Sequence, residues 1–251
     1  MIIIVFLWLN KVIGKKREGM TLNKRIVFVI LSVLLLVIVS ACSDKEKSSK
    51  KEGEFVGAEV SKEELVDNDK VIATVNGKKI TGEQYNSAYR ERKEFEMFNK
   101  DPEEDIDKKK VSETTIEGLI GQELINQEAI KLKIDVKETE VEKELATLKE
   151  EQQEMLDSLM EQFKWTEENV KNQIKQDLTN GRYISETIDV KVTEKEIKAE
   201  YDRVKKDTEK LPEFDEVKEN IEIQMIKQKQ NKELEKQIEK LKKSAKIEIK
   251  L

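Results

Sequence analysis

The sequence predicts a mainly α-helical protein with one small β-sheet, formed by an N-terminal hairpin and a C-terminal strand. Three observations carry this. Charged side chains are 40% of the 251 residues and aromatics 5%, with only two Pro and nine Gly, which is the composition of long, solvated helices. Apolar residues recur at helical spacing through most of the chain beyond residue 80. The exceptions are Val71 to Val75, which run into Asn76-Gly77, and Lys246 to Leu251, which alternate charged and apolar side chains.

The chain opens with Met1 to Gly19, which fit poorly ahead of a second start at Met20. Lys16-Arg17-Glu18-Gly19 can be encoded by purines alone, as a ribosome-binding site read through by mistake would be. Met20 is therefore expected to be the true start and residues 1–19 a spurious extension. Lys24-Arg25 then lead into Ile26 to Val39, broken only by Ser32, and the run ends Val39-Ser40-Ala41-Cys42. A charged segment, a short apolar segment and small residues before a cleavage point make a signal peptide over 20–41. The Cys at that point makes it look like a bacterial lipoprotein signal, with Cys42 lipidated as the first mature residue. The apolar stretch is shorter than the ~20 residues a membrane-crossing helix needs.

Cys42 is the only cysteine, so a disulfide within the chain is excluded. No histidine exists, which removes the commonest general base and metal ligand together. Six of the 47 Lys/Arg and one of the 53 Asp/Glu precede Cys42, so residues 42–251 carry 41 basic against 52 acidic side chains, a formal charge of −11. Such a field does not draw in nucleic acid or anionic headgroups.

Residues 43–69 are rich in Lys, Glu, Ser and Gly and read as a disordered tether with a reach of about 30 Å. Folding is expected to begin near Val71. Val71 to Val75, Asn76-Gly77 and Lys78 to Ile80 form a hairpin signal, because both turn residues tolerate positive φ. Thr81-Gly82-Glu83-Gln84 is a capping box that opens a helix. Asp101-Pro102-Glu103-Glu104 reads as the next helix start. Ile116, Leu119, Ile120, Leu124, Ile125, Ala129, Ile130 and Leu132 then mark the strongest amphipathic helix. Gly118 and Gly121 inside it cost helix stability and suit a close neighbour.

After a break at Ile134-Asp135-Val136, a long helix runs from Val141 to Phe163. Thr166 caps another through Val170, Ile174 and Leu178, and Thr193 with Glu196 boxes a third through Ile197 and Tyr201. Phe214 to Lys243 reads as one helix whose apolar positions stop at Ile226 and resume at Leu234. That gap argues against a sustained coiled coil. The terminal strand needs a partner, and Val71 to Val75 are the expected one.

In this order the segments resemble the SurA-type N-terminal chaperone domain that periplasmic SurA shares with the PrsA foldase lipoproteins. Val75-Asn76-Gly77 with Ile80-Thr81 resembles its opening hairpin. Leu119-Ile120, Leu124-Ile125, Gln127-Glu128-Ala129, Leu132 and Val136 resemble its central helix and exit. Val192-Thr193-Glu194, Glu196-Ile197 and Tyr201 resemble the segment that leads into the family's isomerase module, and Phe214, Glu216-Val217-Lys218 and Ile221 the segment after it. The resemblance covers roughly residues 71–251 and implies one helical chaperone domain over 70–251.

The departure is equally specific. In the family a parvulin-type prolyl isomerase of about 90 residues separates those last two segments, and its pocket uses histidines and a Gly-Gly-x-Leu-Gly-like stretch. Here only ten residues lie between Tyr201 and Pro212, and neither feature is present. The resemblance therefore implies a chaperone without the isomerase module.

Other chemistry is poorly supplied. A Ser or Thr has no His to activate it, which leaves a Ser–Lys pair as the remote alternative. Asp67-Asn68-Asp69 lacks the Gly and terminal Glu of a calcium loop, and no Gly-rich phosphate loop occurs. No cofactor and no metal site is expected, and no catalytic residue.

The family reading calls for apolar, adaptable surface. Phe95, Met97, Phe98, Met155, Met160, Phe163, Trp165 and Met225 are the candidates for holding unfolded or newly secreted clients; the plain alternative for each is helix packing. The expected protein is an ATP-independent chaperone, lipid-anchored through Cys42 on the extracytoplasmic face of a Gram-positive cell membrane. An adaptor lipoprotein with one dedicated partner is the alternative, and a retained prolyl isomerase ranks below it. Oligomeric state stays open, a homodimer included.

Overall fold

A computed structural model describes residues 59–99, 104–208 and 211–251. Cys42, the signal and most of the expected tether lie outside them. The elements are β1 (Val71–Val75), β2 (Lys78–Thr81), α1 (Gly82–Phe98), α2 (Lys108–Lys131), α3 (Glu138–Phe163), α4 (Glu167–Thr187), α5 (Glu194–Asp207), α6 (Phe214–Ser244) and β3 (Ile247–Ile249). The chain is thus mainly helical with a small antiparallel sheet, as the composition and the hairpin signal predict.

The sheet has the order β2-β1-β3. Asn76 and Gly77 both take positive φ, 51° and 85°, so the two-residue turn matches the twist of its strands. Val75 faces Lys78 on one side and Ile247 on the other. The two ends of the folded chain therefore meet on β1.

The described chain divides into two compact units: residues 59–188 with 233–251, and residues 189–232. The boundary within α6 falls in its polar gap between Ile226 and Leu234. The gap that breaks the heptad is where this helix passes from one unit to the other.

In the larger unit, Ile72, Ala73 and Val75 are fully buried against Tyr85, Tyr89, Val111, Ile116, Ile120 and Leu124. A second cluster joins Ile125, Ala129, Ile134 and Tyr183 to Leu234, Ile238 and Leu241 of α6. Gly121 allows this: a Cβ there would stand 3.3 Å from Ile238 Cγ2. In the smaller unit, Ile197, Tyr201 and Val217 are buried, and the Tyr201 and Phe214 rings meet edge-on at 5.3 Å.

Capping agrees closely with the sequence. Thr81, Thr166 and Thr193 each accept from the backbone N–H three residues on and donate their own backbone N–H to the side-chain oxygen of Gln84, Asn169 and Glu196. The start of α2 is different. Glu104 is not helical, and the cap is Asp107, whose carboxylate accepts from Lys110 N–H; Asp101 to Glu103 lie outside the described residues. A local Asp-Pro-Glu-Glu signal shows only that a helix can start, and Ile106 packs against the core just ahead of the actual start.

Two further expectations need correction. Ile130 and Leu132 are 73% and 46% exposed: Ile130 lies on another side of α2 from the stripe that leaves through Ile125 and Ala129, and Leu132 is the C-cap, past the end of the helix. The end of the expected tether is also packed. Ser61 boxes a short 3₁₀ turn at Lys62–Glu64, Leu65 and Val66 join the core, and Asn86 both donates to Val66 O at 2.7 Å and accepts from its N–H at 3.0 Å.

Candidate functional site

The last turns of α1 carry three exposed large apolar side chains close together in the chain. Phe95 is 37%, Met97 39% and Phe98 63% exposed. Single exposed apolar residues are ordinary, but three within four positions on a highly charged chain are not. Arg92 stacks over the Phe95 ring at 5.9 Å, which leaves Phe98 the least covered.

The other candidates divide. Phe163 is buried at 6% exposure and stacks on half-buried Trp165 at 5.3 Å. Trp165 Nε1–H donates to Ser87 Oγ at 2.9 Å, so this pair pins the end of α3 to the middle of α1. Lys164, between the two rings, takes φ 56°, and that left-handed turn swings Trp165 back over Phe163. Met155 and Met160 are half-buried on α3, and Met225 is half-buried on the part of α6 that belongs to the smaller unit. Phe95, Met97 and Phe98 therefore form the exposed group, and Phe163 with Trp165 supports the helix that carries it.

What orients α1 is ionic. Glu64 and Lys93 side chains are 5% and 8% exposed, with Lys93 Nζ 2.6 Å from Glu64 Oε2. Tyr89 O–H donates to the same carboxylate oxygen at 2.9 Å, and Ser61 N–H and Oγ–H donate to the other. Lys93 Nζ also donates to Glu59 O. Burial pushes the Glu64 carboxyl up, but Lys93, Ser61 and Tyr89 together outweigh it and hold the pKa at about 2. The same burial, with the Glu64 charge, raises Tyr89. This clasp is a fully partnered ion pair, and its role is to fix residues 59–64 against α1.

Between α2 and α4 four half-buried primary amides form a closed square. Gln122 pairs with Asn180 and Asn126 with Gln176, each pair donating both ways at 3.3–3.4 Å. Nothing in the apolar periodicity marks them. The available signal was Gln/Asn at a four-residue interval on two helices.

In the smaller unit, residues 208–213 connect α5 to α6. Tyr201 O–H donates to Pro212 O at 3.0 Å, and Lys218 reaches Glu194 at 2.6 Å. The Tyr201 and Lys218 contacts close the α5–α6 corner. Among the described residues no group of three or more Cys, Asp or Glu could hold a metal ion, and no helix is long and apolar enough to cross a membrane.

A family model described as the SurA-like N-terminal domain matches residues 20–184. The chain is also 35% identical over 169 residues to a protein named foldase protein PrsA from Caldanaerobacter subterraneus subsp. tengcongensis; the match takes in 62% of this chain and 50% of the relative. The chain thus spans about half the length of that relative.

Proposed function

The chain belongs to the SurA-like N-terminal domain family, and from that premise we propose that it is an ATP-independent chaperone that holds unfolded or newly secreted proteins outside the cytoplasm. The observation that carries this reading is the exposed Phe95, Met97 and Phe98 group at the end of α1. Around it the surface is densely charged, which keeps a loaded chaperone soluble. Weak apolar contacts of flexible Met and planar Phe side chains suit many sequences rather than one. The name of the foldase relative points the same way.

The anchor is Cys42. The run from Lys24 to Cys42 supports a lipid attached at this thiol, and the chain beyond it holds the folded units near the membrane where secreted chains emerge. Catalysis of prolyl isomerisation is not part of the proposal, because residues 208–213 alone stand where full-length PrsA-type proteins carry the isomerase module.

The detergent-solubilised chain is expected to suppress aggregation of a chemically unfolded protein at near-stoichiometric ratios without nucleotide. It is expected to leave the rate of a proline-limited refolding reaction unchanged. A measurable acceleration would overturn the non-catalytic reading. Crosslinking in cells is expected to trap many clients; one stoichiometric partner would mean an adaptor instead. Cys42→Ala is expected to release the protein from membranes once the signal is removed, with its melting curve intact.

A further inference from the structure

Resting on the chaperone reading, we propose that the amide square of Gln122, Asn126, Gln176 and Asn180 binds the backbone of an extended client polypeptide. It would do so independently of the client's side chains.

The chemistry is that of a peptide group. Gln122 and Asn180 exchange N–H···O bonds of 3.4 and 3.3 Å, and Asn126 and Gln176 do the same. Gln122 Nε2–H also donates to Asn126 Oδ1, and Gln176 Nε2–H to Asn180 Oδ1, both at 3.4 Å. Each cross-helix pair reproduces the reciprocal exchange between facing residues of an antiparallel ladder. Four primary amides carry eight N–H groups and eight acceptor positions. Six bonds link them, so two donors and two acceptors are left for solvent or a ligand.

The bonds that exist are also weak. All six lie at 3.3–3.4 Å, beyond the usual distance of about 2.9–3.0 Å. In the same unit Tyr85 O–H reaches Ser112 Oγ at 2.9 Å and Gln127 Nε2–H reaches Glu123 Oε1 at 2.7 Å. The square is a set of amides kept close by longer bonds, which exchange for shorter ones at low cost.

Spacing selects the occupant. Residues four apart on a helix are separated by about 6 Å along its axis. Successive same-side peptide groups of an extended chain are separated by about 6.6 Å. Two rungs of the square therefore match two consecutive same-side peptide groups. Gly118, one turn before Gln122 on the same side of α2, leaves the approach open: nothing lies within 4 Å of where its Cβ would stand. Gly in a helix interior is costly, and no packing contact explains this one.

The test uses the full chain in detergent and a soluble peptide of about ten residues, Thr/Val-rich, against the same peptide N-methylated at alternate residues. N-methylation removes backbone donors and leaves every side chain in place. The expected result is binding weakened about tenfold by N-methylation for the wild type, with the side-chain NH₂ resonances of the four amides shifting on addition of the unmethylated peptide. In Gln122→Met/Gln176→Met the two peptides are expected to bind within about twofold of each other. The wild-type arm decides by itself should that variant fail to fold.

If the chain suppresses aggregation but neither discriminates the two peptides nor shows shifts at the four amides, the inference falls and the chaperone reading stands. If it suppresses no aggregation and binds neither peptide, both fall. Shifts produced by a glycan oligomer and not by the peptide would also overturn the inference.

Discussion

The side-chain oxygen of Asn76 accepts the backbone N–H of Lys246 at 2.8 Å, across 170 residues of sequence. Asn76 N–H donates to Lys246 O at 2.8 Å, and its Nδ2–H donates to Gln127 Oε1 at the same distance. One turn residue thus joins hairpin, central helix and C-terminal strand. Asn76→Gly keeps the positive φ but removes both side-chain bonds, so a loss of about 1–2 kcal/mol is expected. Asn76→Asp keeps the acceptor for Lys246 and loses the donor to Gln127, so it should fall between. Urea titration of both variants followed by circular dichroism measures the order; a Gly variant as stable as wild type would refute it.

The Glu64–Lys93 pair predicts a double-mutant signature. Glu64→Gln leaves the buried Lys93 charge without its partner and is expected to cost about 3 kcal/mol; Lys93→Met leaves Glu64 with Lys108 Nζ at 3.4 Å and should cost less. The double variant removes both charges and should cost clearly less than the two singles combined. Additive losses in chemical denaturation would show that the two residues do not act as a pair.

The same carboxylate sets an acid limit. Its pKa in the folded chain is about 2, against the ordinary glutamate value of 4.5. Between these values the unfolded chain binds more protons than the folded one, so stability rises with pH. The contribution is full above the unfolded value and drains away as pH falls from about 4.5 toward 2. The urea midpoint of the wild type should drop across this window more steeply than that of Glu64→Gln; parallel curves would remove Glu64 as the cause.

Three glycines separate by neighbour. A Cβ on Gly82 would stand 2.0 Å from Asp67 O, where Gly82 N–H already donates to Lys70 O at 2.7 Å. Gly82→Ala should therefore destabilise by several kcal/mol. Gly121→Ala meets only Ile238 at 3.3 Å, and better helix propensity offsets the crowding, so it should be close to neutral. Gly118→Ala meets nothing and should gain about 1 kcal/mol. Thermal melts of the three variants check the ranking.

Phe98 and Phe163 should part stability from holding activity. Phe98→Ser, at 63% exposure, is expected to leave the melting temperature within a few degrees and to weaken aggregation suppression several-fold. Phe163→Ala removes a buried ring and is expected to cost about 3–5 kcal/mol. Equal suppression by Phe98→Ser and wild type would locate client binding elsewhere.

Much of the fold was legible because its signals are local. Asn76-Gly77 forces a tight turn, and Thr81, Thr166 and Thr193 cap helices with partners three residues away. The alternation of Lys246 to Leu251 needs only the geometry of one strand. Even its pairing with β1 was within reach, since a lone strand is unstable and few partners existed. The errors came where a local signal had rivals. Asp101 to Glu104 and Asp107 can both announce a helix, and it is Asp107 that caps α2. Ile130 sits at a plausible helical interval but outside the stripe the core covers.

The candidate site was legible only as a set of residue types. Phe95, Phe98 and Phe163 look alike in sequence, yet one is half open, one mostly open and one buried. Glu64 falls within the expected tether, and the apolar periodicity does not mark Gln122, Asn126, Gln176 and Asn180.

By itself, then, the sequence determined the helical class, the caps, the turn, the likeness to a chaperone family and the expected Cys42 address, since composition, periodicity and spacing are properties of neighbours along the chain. Tertiary structure alone decided that Glu64 meets Lys93 and Tyr89, that four amides close a square across α2 and α4, and that Phe98 faces solvent while Phe163 does not. Those outcomes depend on which surfaces meet between segments far apart in the chain, and no local interval encodes them.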